Sequence, residues 1–154
     1  MDYFPVFVKL KDQDCLVIGA GEIAARKIEL LARAGAKITV IAKKVSPQVL
    51  SLETSCHLNL LQKSFAPTDL RGFRLVVSAT DNRETNQLVA KTAEEQNILV
   101  NVVDNPELCS FIFPENSALS RLLNVLFNVS SKFFSKMRQS PISGRDYAFY
   151  LGSE

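Results

Sequence analysis

Residues 15–44 set an apolar run, a Gly-x-Gly-x-x-Ala turn, an amphipathic segment and a second apolar run in one order: "CLVIGAGEIAARKIELLARAGAKITVIAKK". "CLVIGA" is short, β-rich and stopped by glycine. "EIAARKIELLARAG" carries Ile23, Ala24, Ile28, Leu31 and Ala32 at helical spacing, and Gly35 suits its C-terminal cap. "KITVIA" is rich in β-branched residues and reads as a second strand. A strand, a tight turn, a helix and another strand make a crossover unit, whose two strands run parallel.

The alternation continues. "SPQVLSLE" (46–53) opens with serine and then proline, a cap followed by proline at the first helical position. "HLNLLQ" (57–62) alternates like a strand, and "FRLVVSAT" (73–80) is an apolar one. "NRETNQLVAKTAEEQ" (82–96) reads as a helix capped by Asn82 or Asp81. "ILVNVVD" (98–104) and "CSFIFP" (109–114) read as further strands. Several strands are apolar throughout, as expected when helices cover both faces. The fold class expected is α/β, a Rossmann-like doubly wound parallel sheet. After Pro114, Leu119, Leu122, Leu123, Leu126, Phe127, Phe133, Phe134 and Met137 fall close to helical spacing, so a C-terminal helical or dimerisation extension is expected.

Composition removes several function classes. The 154 residues are 47% hydrophobic and 22% charged, enough for one domain with a real core. A net charge of +2 gives no reason to expect nucleic acid. No apolar run approaches the roughly 18 residues of a membrane helix, so no membrane partner is expected. "MDYFPVFVKL" has an acid at position 2 and no basic n-region, unlike a signal peptide. Cys15, Cys56 and Cys109 are an odd count without CxxC spacing and read as reduced thiols of a cytoplasmic protein. The single histidine, His57, sits beside Cys56 where no metal-ligand spacing exists, so no metal site is expected.

In the glycine turn, Gly19 permits the sharp bend, Gly21 lets backbone approach a pyrophosphate, and Ala24 lets the helix lie near the strand. The free N–H groups and dipole of the helix start favour phosphate. An NAD site usually places Asp or Glu about 20 residues onward, to hold the ribose hydroxyls. Here Lys43 and Lys44 end the second strand instead. They could accept a 2′-phosphate, or sit in solvent while backbone groups hold the ribose. "VVSATDN" and "NVVDN" end two consecutive strands, so Asp81 and Asp104 are both expected on the cofactor side. Asp104 is a candidate base or a turn-forming residue; Asp81 is a candidate helix cap.

"FPVFVKLKDQDCLVIGAGEIAARKIELLARAGAKITVIA", "VVSATDN" and "NVVDNPELCSFIFP" together resemble the precorrin-2 dehydrogenase/sirohydrochlorin ferrochelatase module of sirohaem synthase, over residues 3–114. The resemblance implies NAD-dependent oxidation of precorrin-2 to sirohydrochlorin, then insertion of ferrous iron. It implies NAD on the loop of Gly19 and Gly21, with Glu22 and Ile23 near the phosphates and Lys43 and Lys44 beside the adenosine ribose; Thr80 joins these as a cofactor contact. Asp104 is implied as the general base of both reactions, and a homodimer as the assembly. The match fails after Pro114, where "ENSALSRLLNVLFNVSSKFFSKMRQSP" lacks the family's glycines. Residues 1–114 are therefore expected to form the NAD-binding domain and residues 115–154 a divergent or truncated dimerising extension. Two other readings stay open: a dinucleotide sensor without chemistry, and a generic NADP reductase.

Overall fold

The structure is a computed structural model that describes residues 6–113. Its elements run β1 (Asp14–Ile18), α1 (Glu22–Arg33), β2 (Lys37–Ile41), α2 (Pro47–Ser55), β3 (Asn59–Leu61), β4 (Leu75–Ser78), α3 (Arg83–Glu95) and β5 (Leu99–Val102). The five strands form one sheet in the order β3-β2-β1-β4-β5, and every pairing is parallel. The chain winds outward from β1 to β3, then returns to the centre for β4. Right-handed crossovers in these opposite directions put α1 and α2 on one face and α3 on the other. This is the expected doubly wound sheet.

The central strands explain why their sequences are uniformly apolar. Cys15, Leu16 and Val17 of β1 and Val76 and Val77 of β4 are fully buried. Leu16, Val76 and Val89 of α3 join Leu70 in one cluster, while Ile28 and Leu31 of α1 are buried among the core residues. Each fully buried aliphatic side chain contributes roughly 1.5–3 kcal/mol. α1 stops where its sequence says it does. Gly35 takes φ +74, its N–H bonds the Ala32 carbonyl at 2.9 Å, and the Ala36 N–H bonds the Leu31 carbonyl at 3.1 Å. These bonds satisfy carbonyls that a helix end would leave bare.

One expected strand is absent. Residues 109–113 form no strand; a 3-10 turn, Pro106–Leu108, precedes them. Side chains close the outer edge of β5 instead. Ser110 Oγ accepts from the Val100 N–H at 2.8 Å, and Cys109 Sγ accepts from the Val102 N–H at 3.1 Å. Asn101 Nδ2 donates to the Phe111 carbonyl at 3.0 Å. With the outward N–H groups of β5 already satisfied, a sixth backbone ladder has nothing to bind there. The helical and dimerising extension expected over residues 115–154 lies outside the described residues. Among the described residues, no helix is long and apolar enough to cross a membrane.

Candidate functional site

Every strand of a parallel sheet delivers its following loop to the same edge. Where β1 and β4 lie side by side, their loops leave in opposite directions and open a crevice. A cavity of about 780 Å³ sits there, a size suited to a dinucleotide-scale ligand. Its floor is the glycine turn, residues 19–24. One wall is the β2–α2 loop, residues 42–46, and the other is the β4–α3 loop, residues 79–82, with Thr85.

The two glycines of the turn have separate jobs. Gly19 adopts φ +101, and a Cβ there would lie 2.1 Å from the Ala79 carbonyl oxygen. Its own N–H donates to the Ile41 carbonyl at 2.9 Å. Gly19 is thus needed to thread the turn between β2 and β4. A Cβ on Gly21 would meet nothing within 4 Å. Gly21 is the N-cap of α1 and has no side-chain cap bond. The N–H groups of the first helical turn therefore remain available, at the positive end of a twelve-residue helix. An open cradle of this kind fits a pyrophosphate. Gly21→Ala is expected to lower dinucleotide affinity by at least about tenfold while costing no more than about 1 kcal/mol of stability. Calorimetric titration and a thermal melt of the variant check both halves.

The β4–α3 wall is held rigidly. Asn82 caps α3, its Oδ1 accepting from the Thr85 N–H at 2.7 Å. The cap is thus Asn82, and Asp81 is an exposed residue of the cavity lining. Asn86 Nδ2 donates to the Thr80 carbonyl at 2.9 Å, and Ser78 Oγ donates to Asn86 Oδ1 at 2.7 Å. Thr80 Oγ1 accepts from the Asn82 N–H at 3.1 Å. On the facing wall, Ser46 caps α2, and its N–H bonds the Ala20 carbonyl at 2.9 Å, tying that loop to the glycine turn.

Seven of the residues singled out from sequence come together on this cavity: Gly19, Gly21, Glu22, Ile23, Lys43, Lys44 and Thr80. Asp104 is not among the lining residues. It lies at the same edge, one strand further along. Ser78 of β4 pairs with Val102 of β5, so Asp104 and Thr80 each sit two residues beyond a register pair. Asp104 is exposed and takes φ +57, in a turn closed by the Asn105 N–H on the Val102 carbonyl at 3.2 Å. Cys109 braces that turn, its Sγ within 3.2 Å of the Val102 carbonyl and 3.3 Å of the Asn105 carbonyl.

Sequence reasoning missed Ser46, the 63–65 segment with Phe65, and Thr85 as lining residues. Ser46 carried a usable signal, since a helix cap directly after a parallel strand must face this edge. Lys63 pairs with Asp69. Burial alone would raise the Asp69 carboxyl, but the hydrogen bonds from Lys63 and the Ala66 N–H and the Lys63 charge outweigh it and hold the group below its usual range. The three cysteines are free thiols. Burial, with the nearby Asp14 charge, pushes the Cys15 thiol up to about 11, so it stays protonated and unreactive. Among the described residues, no group of three or more His, Cys, Asp or Glu could hold a metal ion.

The family model described as "Putative NAD(P)-binding" matches residues 6–115, which include every wall of this cavity. The chain belongs to this NAD(P)-binding family. Siroheme synthase of Methylococcus capsulatus is 49% identical over 114 residues, 74% of this chain and 24% of that protein. Siroheme synthase of Zymomonas mobilis is 44% identical over 114 residues, with the same shares. The chain spans about a quarter of the length of these curated relatives. Among solved structures, the precorrin-2 dehydrogenase SirC superposes with a TM-score of 0.61 at 23% identity, covering 92% of this chain and 84% of that one. Dipicolinate synthase of Bacillus halodurans gives 0.51 at 15% identity, covering 83% and 48%. At these identities the likeness establishes the shared fold of this NAD(P)-binding family member.

Proposed function

We propose that this protein oxidises precorrin-2 to sirohydrochlorin with NAD, as one step in making sirohaem. The observation that carries the reading is the juxtaposition of an open pyrophosphate cradle with a carboxylate, Asp104, at the neighbouring strand end of the same sheet edge. It is supported by 49% identity to a protein named siroheme synthase across the whole of that edge.

In this reading the first-turn N–H groups of α1, with Gly19, Gly21, Glu22 and Ile23, hold the pyrophosphate. Lys43 and Lys44 flank the adenosine ribose, and Thr80, fixed by Asn86 and Asn82, forms the far wall. NAD, when bound, supplies the hydride acceptor. The balance is precorrin-2 plus NAD⁺ giving sirohydrochlorin, NADH and one proton. Asp104 takes that proton from the tetrapyrrole as hydride departs, and its exposure lets the proton pass on to water. The same carboxylate would take a pyrrole N–H proton if ferrous iron, as a second substrate, enters the ring. We further propose a cytoplasmic homodimer, with residues 1–114 as the dinucleotide unit and residues 115–154 as the extension through which two copies pair.

The test is to mix the full chain with NAD and anaerobically prepared precorrin-2 and follow NADH by its near-ultraviolet absorbance. Stoichiometric NADH and sirohydrochlorin are expected. Tight NAD binding with no NADH would sink the dehydrogenase and leave a dinucleotide-binding module without chemistry. One observation favours that second reading: Asp104 lies outside the cavity lining.

A further inference from the structure

The corner of the cavity at the end of β2 carries only positive charge. Lys43 and Lys44 follow Ala42 directly, are exposed, and line the cavity. Among the described residues neither has a carboxylate partner, whereas Lys63 is taken up by Asp69. The loop leads at once into α2, whose first turn holds no acid. The Ser46 N–H bond to the Ala20 carbonyl draws the start of α2 against the glycine turn. Two ammonium groups and the positive end of a nine-residue helix therefore share one corner. The acids of the cavity lining, Glu22 and Asp81, belong to α1 and to the β4–α3 loop, not to this wall.

In NAD-selective sites, a carboxylate at the end of the second strand binds the adenosine ribose hydroxyls and would repel a phosphate there. Here that carboxylate is replaced by Ala42-Lys43-Lys44. The geometry points to a pocket that accepts a 2′-phosphorylated adenosine, so that NADP binds at least as tightly as NAD, with Lys43 and Lys44 as the residues that set the preference. This inference rests on reading the cavity as a dinucleotide site. A dianionic 2′-phosphate gains charge-assisted contacts that a neutral hydroxyl does not. Because both lysines are exposed, the gain falls as salt rises.

The experiment titrates the full chain by calorimetry with NAD and NADP, and with 5′-AMP and adenosine 2′,5′-bisphosphate to isolate the corner. The phosphorylated member of each pair is expected to bind equally or more tightly, by a margin that shrinks with added salt. In the double variant Lys43→Ala/Lys44→Ala, the NADP-to-NAD affinity ratio is expected to fall by at least about tenfold. NAD binding tenfold or more tighter than NADP overturns the inference and leaves the dinucleotide reading intact. An unmoved ratio in the double variant, with either nucleotide still bound as proof of folding, overturns the assignment to these lysines. Binding of neither nucleotide to the unmodified chain overturns both this inference and the reading beneath it.

Discussion

Asp104→Asn is expected to lower precorrin-2 oxidation by roughly 10²–10⁴-fold, the range typical of a positioned general base. Affinity for the dinucleotide should stay within about twofold, because Asp104 is not part of the cavity lining. Asparagine is the informative replacement. Asp104 sits at φ +57, a backbone region where side chains are strained and Asn and Gly are most at ease. If residue 104 served only the turn, asparagine would serve it equally well or better, and the melting temperature would hold or rise. A loss of turnover without a loss of stability therefore isolates the carboxylate. Steady-state rates with precorrin-2 and a thermal melt of the same preparation make the comparison. Full turnover in Asp104→Asn would remove Asp104 as the base, whatever the melt shows.

Gly19→Ala is expected to act on the fold itself. The added methyl would sit 2.1 Å from the Ala79 carbonyl oxygen and 2.7 Å from its carbon, both backbone atoms. Neither can swing aside as a side-chain tip would, because the Ala79 N–H is itself bonded to the Ile18 carbonyl at 2.7 Å. Strain at φ +101 adds to the clash. Together these effects should cost roughly 3–5 kcal/mol, a large share of the stability of a domain this size. The melting temperature should fall on the order of 15 °C or more. Circular dichroism melts of Gly19→Ala and Gly21→Ala, run side by side, separate the structural glycine from the ligand-facing one. A Gly19→Ala melt matching that of the unmodified chain would mean that the β1 turn has room to shift, and the packing argument would fail.

Much of this architecture was legible in the sequence because period and punctuation coincide. Glycine, Ser-Pro and asparagine mark the turns, and the buried strands are apolar without alternation. The site followed for a topological reason: once Gly19, Lys43 and Thr80 are each assigned to a parallel strand end, they must share one edge. What stayed hidden depends on side-chain bonds between segments distant along the chain. Asp81 and Asn82 are both good helix caps, and only the register of α3 decides for Asn82. "CSFIFP" has the composition of a strand, but Cys109 and Ser110 offer β5 side-chain atoms before a backbone ladder can form. Phe65 reaches the cavity from a loop after β3 that has no periodic pattern. Asp104 was expected on the cofactor side of the sheet; the structure puts it at the matching edge, outside the cavity lining.

The finish on β5 has a consequence for solubility during and after synthesis. Sheets grow into fibrils, or trade segments between molecules, by offering a bare row of amide groups to an incoming chain. On this flank the Val100 and Val102 amides are already engaged by a hydroxyl and a thiol of the segment that follows. An intruding chain would have to evict Cys109 and Ser110 before its first bond could form.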